Sequence, residues 1–121
     1  MQESPESRLL SAILENLTGG FIAIDVEGKI MILNPAARRI LDLPDGLNLD
    51  LPVEQALMGA PDFAKILLDT LATRSPIKRH EISWLHGNRR RLIGYGTMVL
   101  KDSQSRLMGV AITFQDITPA T

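Results

Sequence analysis

The last third of the chain constrains the fold most, because three strand-like runs follow one another there with only turns between them. The runs cover residues 77–85, 89–100 and 106–117. Gly87-Asn88 forms a two-residue hairpin loop between the first two runs, and a longer polar loop precedes the third. Counting outward from the hairpin loop predicts three cross-strand pairs on one sheet face, namely Trp84 with Arg91, Ile82 with Ile93, and His80 with Tyr95.

A helix is predicted at the start of the chain, with Ser4 as its N-cap and Pro5 in its first turn. We expect Gly19-Gly20 to end this helix, because glycine enters the left-handed conformation without a steric penalty. Five apolar residues recur at helical spacing and form a stripe along one face. They are Leu9, Leu10, Ile13, Leu14 and Leu17.

Two short strands, 21–25 and 29–33, follow and form a hairpin with Gly28 at the end of its turn. Asn34 is a good N-cap for a second helix, which Leu43-Pro44-Asp45-Gly46 ends. One or two helical turns are expected within 53–58, and a clearer helix covers 62–73.

This order of elements predicts an α+β fold in which a five-stranded antiparallel sheet carries helices on one face. An amphipathic helix precedes it. The predicted organisation is an N-terminal helix over residues 1–18, one domain over 19–118, and the start of a linker at 119–121. A chain of 121 residues fits one compact domain of this kind.

Composition excludes several classes of partner and site. The net charge of −1 supplies no field that would attract a polyanion, so neither nucleic acid nor an anionic membrane is an expected partner. The chain has no cysteine, which removes disulfides, thiolate metal ligands and cysteine nucleophiles. The first eight residues are polar and acidic, unlike a signal peptide, and no apolar run is long enough to cross a bilayer. We therefore expect a cytoplasmic protein without membrane contact.

Several phrases, taken in order, resemble the PAS family of sensor domains over about residues 9–118. The strand 20–25 and the preceding helix end resemble the family's entry into its sheet. The residues Gly28-Lys29-Ile30 and Asn34-Pro35-Ala36-Ala37 resemble its second strand and first helix. The ending Phe114-Gln115-Asp116-Ile117-Thr118 resembles its exit motif.

The resemblance implies a PAS-like fold that senses a ligand or partner and relays the change to a C-terminal output domain, in the style of two-component histidine kinases. It also implies that Asp116 and Thr118 couple the sheet to the C-terminal linker, and that Asn34 braces the first helix of the domain. A pocket, if the domain has one, is expected among residues that equally suit a filled core. These are Ile24, Ile32, Ile40, Phe63, Leu67, Ile82, Trp84 and Ile93.

The cofactor remains unknown from the sequence. Covalent flavin attachment in this family needs a cysteine, and haem binding typically needs a histidine on the long helix; 62–73 has neither. The two histidines, His80 and His86, lie on a strand and at a hairpin tip, which indicates no metal site. Trp84 and Tyr95 leave a non-covalent flavin open, with ordinary packing as the simpler interpretation.

The apolar stripe of the first helix has two interpretations. It packs on its own sheet, or it pairs with a second copy to form a homodimer, because an isolated amphipathic helix needs a partner for its apolar face. The same fold without a ligand, used only for dimerisation or docking, is the main alternative function. Another small-molecule-binding α+β family, such as GAF, fits the exit motif less well.

An enzyme is not expected. No nucleophile lies beside a base in any recognisable pattern, and Gly19-Gly20 is not a phosphate loop. Arg89-Arg90-Arg91 alternate in direction along a strand, so they form no single basic cluster; the simpler account places Arg91 over Trp84 on a solvated face.

Overall fold

The computed structural model describes residues 4–44 and 49–120. The elements run in the order α1 (Pro5–Asn16), β1 (Gly20–Asp25), β2 (Ile30–Leu33), α2 (Pro35–Leu41), α3 (Val53–Ala56), α4 (Pro61–Thr73), β3 (His80–His86), β4 (Arg89–Lys101) and β5 (Leu107–Asp116). The predicted stop at Asp45-Gly46 lies outside the described residues. Within the described ranges no helix is long and apolar enough to span a membrane.

The five strands form one antiparallel sheet in the order β2-β1-β5-β4-β3. The predicted fold class is therefore confirmed. The hairpin between β3 and β4 has the predicted register, with Trp84 opposite Arg91, Ile82 opposite Ile93 and His80 opposite Tyr95. The first and last strands of the chain lie side by side at the centre of the sheet, so the exit from β5 comes next to the entry into β1.

The core lies between one face of the sheet and the helices α2, α3 and α4. Burying a large apolar side chain of this kind contributes roughly 1.5–3 kcal/mol relative to leaving it exposed. The largest fully buried side chains come from both layers: Phe63, Phe114, Ile22, Ile24, Ile30, Leu41, Leu57, Leu67, Ile93, Ile112, Val53 and Val110. Helix α1 contributes no buried residue to this core.

The predicted end of α1 is wrong in its mechanism. The helix ends at Asn16, and the capping residue is Leu17 in extended conformation (φ −63°, ψ 137°), with its N–H bonded to the Ile13 carbonyl at 3.1 Å. Gly20 belongs to β1 and serves close packing, since a Cβ there would overlap the ring of Phe114. A sequence pattern cannot reveal this need because Phe114 lies far away in the chain.

Other local predictions are confirmed. Ser4 caps α1 by accepting from the Ser7 N–H at 3.1 Å. Gly28 takes a positive φ of 81° in the β1–β2 turn. Asn34 caps α2 through its side-chain oxygen, and Pro35 occupies the first turn. Helix α2 ends at Leu41, and Asp42 caps it in the left-handed conformation with φ 51°, so the helix stops just before the predicted stop at Leu43-Pro44.

Candidate functional site

The exit segment after β5 is fixed on the neighbouring strand β4. The Thr118 hydroxyl oxygen accepts a hydrogen bond from the Leu92 N–H at 2.9 Å, and the Ile117 N–H donates to the Leu92 carbonyl at 2.8 Å. The Thr118 hydroxyl in turn donates to Asp116 Oδ1 at 2.5 Å, and the Thr118 N–H donates to the same oxygen at 3.0 Å. Asp116 and Thr118 therefore act as one hydrogen-bonded unit at the edge where the chain leaves the sheet.

The environment of Asp116 favours its charged form. Hydrogen bonds from the Thr118 side chain and N–H lower the pKa of the Asp116 carboxyl and outweigh burial, which raises it; the nearby Arg91 and Arg89 charges lower the pKa further by smaller amounts. Arg91 Nη1 lies 3.6 Å from Asp116 Oδ2. The carboxylate is thus held as an anion at neutral pH and keeps both hydrogen bonds.

Arg91 also reaches the helical layer. Its Nη1 donates to the Ile40 carbonyl at 3.1 Å, which places the guanidinium between the last turn of α2 and the exit segment. Trp84 takes other partners: its ring stacks on His86 with centroids 5.0 Å apart and meets Phe63 edge-on at 5.8 Å. The expectation that Arg91 lies over Trp84 does not describe these contacts, because the Ile40 carbonyl and Asp116 draw the guanidinium toward them.

Asn34 joins three elements from a buried position. Its side-chain oxygen accepts from the N–H groups of Phe21 at 2.8 Å and Ala37 at 2.9 Å. Its amide donates to the carbonyls of Leu14 at 3.2 Å and Gly19 at 3.0 Å. The residue is 3% exposed, so these four bonds replace hydration that it has lost on folding. The bracing role that the resemblance implies for Asn34 has a definite geometry here.

Seven of the eight predicted pocket residues meet in or against the core. Five are buried (Ile24, Phe63, Leu67, Trp84 and Ile93), and Ile40 and Ile82 pack against them half-buried. Ile32 lies apart. It pairs with Ala23, whose side chain points away from the core because its neighbours in β1, Ile22 and Ile24, point into it.

Surface grooves lie elsewhere. A groove of about 420 Å³ lies between the α1–β1 connection, the residues before β3, and the strands β4 and β5. Its lining includes Leu17, Lys78, Arg79, Gly94, Tyr95 and Gln115, none of which the sequence indicated as a site apart from Leu17 and Tyr95. None of the eight pocket candidates lines this groove or the two others beside α4 and β4. In the described part of the chain, no group of three or more His, Asp or Glu residues is arranged to hold a metal ion.

The stripe of α1 is largely exposed to solvent. Leu9, Leu10 and Ile13 are 62%, 61% and 48% exposed. Leu17, at the end of the helix, is 39% exposed, and Leu14 is half-buried. The interpretation in which this helix packs its stripe on its own sheet therefore does not describe the structure.

Comparison with solved structures reveals the same fold in several PAS domains. The PAS domain of Bordetella pertussis BvgS aligns over 96% of this chain and 89% of its own length, with 20% identity and a TM-score of 0.74. The PAS domain of the histidine kinase ThkA aligns over 81% and 98%, with 17% identity and a TM-score of 0.65. Vibrio cholerae VqmA, in a complex with ligand and DNA, aligns over 96% of this chain but 52% of its own, with 15% identity and a TM-score of 0.67.

No curated protein matches the chain. The family model described as the PAS fold matches residues 8–117, which leaves out only the two ends of the chain. Because this match covers nearly the whole chain, and solved PAS domains share its fold, the chain belongs to the PAS family.

Proposed function

We propose that this PAS domain is a non-catalytic sensory module that relays the binding of a small ligand or partner to a C-terminal output domain, of the histidine kinase class. The observation that carries the proposal is the exit segment. Thr118 and Ile117 are hydrogen-bonded to Leu92 of β4, and Asp116 Oδ2 lies 3.6 Å from Nη1 of Arg91, which is also on β4. A shift of β4 would therefore alter the position from which any following segment begins.

The ligand would act on the core side of the sheet. The seven gathered pocket candidates contact both the helices and the strands β1, β3 and β4, so a molecule among them would separate the two layers. The aromatic contacts of Phe63 with Trp84 and Phe114 equally suit a filled interior.

A second function, ligand-free dimerisation, is favoured by the exposed stripe of α1. Three of its residues are each about half exposed or more, and no residue in the described part of the chain covers them. We propose that Leu9, Leu10, Ile13, Leu14 and Leu17 form the interface of a homodimer. Dimerisation through this stripe is compatible with sensing. If the domain binds no ligand, dimerisation would be its main function.

Nucleic acid and membrane are not proposed as partners of this domain. VqmA is described with DNA, but this chain covers about half of it, and the net charge of −1 gives no attraction for a polyanion. We propose a cytoplasmic location for the domain.

A chimeric kinase tests the relay. Residues 5–118 would replace the PAS domain of ThkA, and autophosphorylation would be compared between the parent chimera and its Asp116→Ala and Thr118→Val variants. We expect both variants to change the rate severalfold. Asp69→Ala, which removes an exposed ion pair with Lys65 on α4, is the matched control and should have no effect. Equal rates in all four proteins would reject the relay.

Native mass spectrometry, beside a denatured run and an absorption spectrum, tests the ligand. A mass excess that is lost on denaturation would identify a bound molecule, and visible absorbance would mark it as a chromophore. An unliganded mass together with a dimer that Ile13→Glu abolishes would instead support the dimerisation module.

A further inference from the structure

The last turn of α2 has a carbonyl group that its own helix cannot satisfy. The Ile40 carbonyl would accept from the N–H four residues later in a continuing helix, but that residue is Pro44, which has no N–H. The acceptor is satisfied across the molecule by Arg91 on β4, at 3.1 Å. A cation at this end also matches the negative end of the helix dipole.

A second link holds the same end of α2. His86 Nε2 lies 3.1 Å from Oδ2 of Asp42, the residue that caps α2 in left-handed conformation. The His86 ring is itself supported, because it stacks on Trp84, and Trp84 is anchored in the core against Phe63. The β3–β4 hairpin therefore contacts both the last turn and the cap of α2.

The opposite end of α2 is tied to a different part of the sheet. Asn34 bonds the helix start to the Phe21 N–H on β1, whereas Arg91 and His86 bond the helix end to β4 and β3. In the sheet order β1 is separated from β4 by β5, so α2 crosses over β5 between its two attachments. Because the helix is held at both ends, a displacement of α2 from the sheet must move at least one of these two attachments.

We propose that Arg91 is the positioning residue that couples the C-terminal end of α2 to the exit segment. One guanidinium nitrogen, Nη1, lies 3.1 Å from the Ile40 carbonyl and 3.6 Å from the Asp116 carboxylate. A displacement of α2 would therefore shift the Arg91 guanidinium, which faces the Asp116 carboxylate. The inference rests on the proposed function, because it names the route by which a change between the layers reaches the exit.

The test is a double-mutant cycle read by amide hydrogen exchange in the isolated chain. Asp42→Gly disturbs the far end of the route, since it removes the carboxylate that binds His86 while glycine keeps the left-handed conformation. The readout is the exchange of the Ile117 and Thr118 amides, whose hydrogen bonds hold the exit segment. We expect Asp42→Gly to speed this exchange severalfold when Arg91 is present.

Arg91→Gln supplies the other side of the cycle, with Arg91→Lys as the milder variant if the first does not fold. In either background we expect Asp42→Gly to add no further change at Ile117 and Thr118. The matched control is Arg90→Gln, the adjacent residue of β4, which loses only a bond to the Ser83 hydroxyl and should leave these amides unchanged.

Additive effects of Asp42→Gly and Arg91→Gln on the exit amides would overturn the coupling. So would an Asp42→Gly variant whose exit amides exchange as in the wild type. The kinase chimera separates this result from the proposed function. Non-additive exchange with unchanged kinase output would reject the relay and keep the coupling, whereas additive exchange with altered output would reject the coupling alone.

Discussion

The amide oxygen of Asn34 accepts a hydrogen bond from the backbone N–H of Phe21 at 2.8 Å, which ties the start of α2 to the first strand of the sheet. The same oxygen caps the helix, and the amide nitrogen holds two carbonyls from α1 and from the turn after it. One buried side chain thus fixes where α1, β1 and α2 meet.

Asn34→Ala should lower the free energy of unfolding by roughly 2–4 kcal/mol, because it removes a helix cap and leaves buried backbone groups without partners. Urea unfolding followed by circular dichroism measures this. Asn16→Ala is the control, since it loses a single bond to the Ala12 carbonyl on the exposed surface of α1. A loss for Asn34→Ala no larger than for Asn16→Ala would contradict the bracing role.

Gly109→Ala should prevent β1 and β5 from pairing in their present register. Gly109 has a φ of 154°, and a Cβ there would overlap the Ile24 carbonyl oxygen on the adjacent strand. Because the obstacle is backbone, a side-chain rotation cannot relieve it. We expect little folded protein, measured by the dispersion of the amide NMR spectrum.

Gly59→Ala is the matched control, since nothing lies within 4 Å of a Cβ at that glycine. A Gly109→Ala protein with the spectrum and stability of Gly59→Ala would show that β1 and β5 are not packed at Gly109 as described.

The Asp116 carboxyl should make stability depend on acid pH. Its pKa is lowered in the folded state, chiefly by the Thr118 hydrogen bonds, relative to about 3.9 in an unfolded chain. A depressed pKa contributes stability that is present above the unfolded value and is lost as the pH falls through the folded value. Asp116→Asn should therefore destabilise the protein at pH 7 and should matter less at a pH below the folded pKa.

Urea unfolding of wild type and Asp116→Asn at several pH values measures this difference, and carboxyl NMR gives the folded pKa directly. Thr118→Val should raise that pKa toward the ordinary value, because it removes the side-chain donor. A pH-independent difference between wild type and Asp116→Asn would be inconsistent with this assignment.

Thr97→Val should lower the free energy of unfolding by roughly 1–3 kcal/mol, although the two side chains have nearly the same shape. The reason is that the buried groups bonded to the Thr97 hydroxyl would lose this partner. The Thr97 hydroxyl accepts from the Ile77 N–H at 2.8 Å and lies 3.2 Å from the Thr70 hydroxyl. Thermal unfolding measures the loss. Thr113→Val on the exposed side of β5 is the control and should stay within about 0.5 kcal/mol of wild type; equal shifts for the two variants would argue against this buried network.

Residues within a few positions of one another determined much of the local structure. The Gly87-Asn88 loop specified the β3–β4 register, and Asn34-Pro35 specified the start of α2. These features depend on turn geometry and on the backbone groups left unpaired at a helix end, which short sequence patterns encode directly.

The tertiary structure alone decided the features that depend on distant residues. Ile32 pairs with Ala23 on the outer face because the β1–β2 register shifts by one residue, which the alternation of apolar residues did not indicate. Gly20 is needed under Phe114, and Arg91 turns to the Ile40 carbonyl, only because the fold brings strands and helix from far apart in the chain together. The sequence by itself determined the elements, the family and the exit motif. Packing determined which face each side chain occupies and which residues connect the helical layer to the exit segment. Those contacts join segments that are far apart in the chain, and a local sequence pattern contains no information about which distant segments will meet.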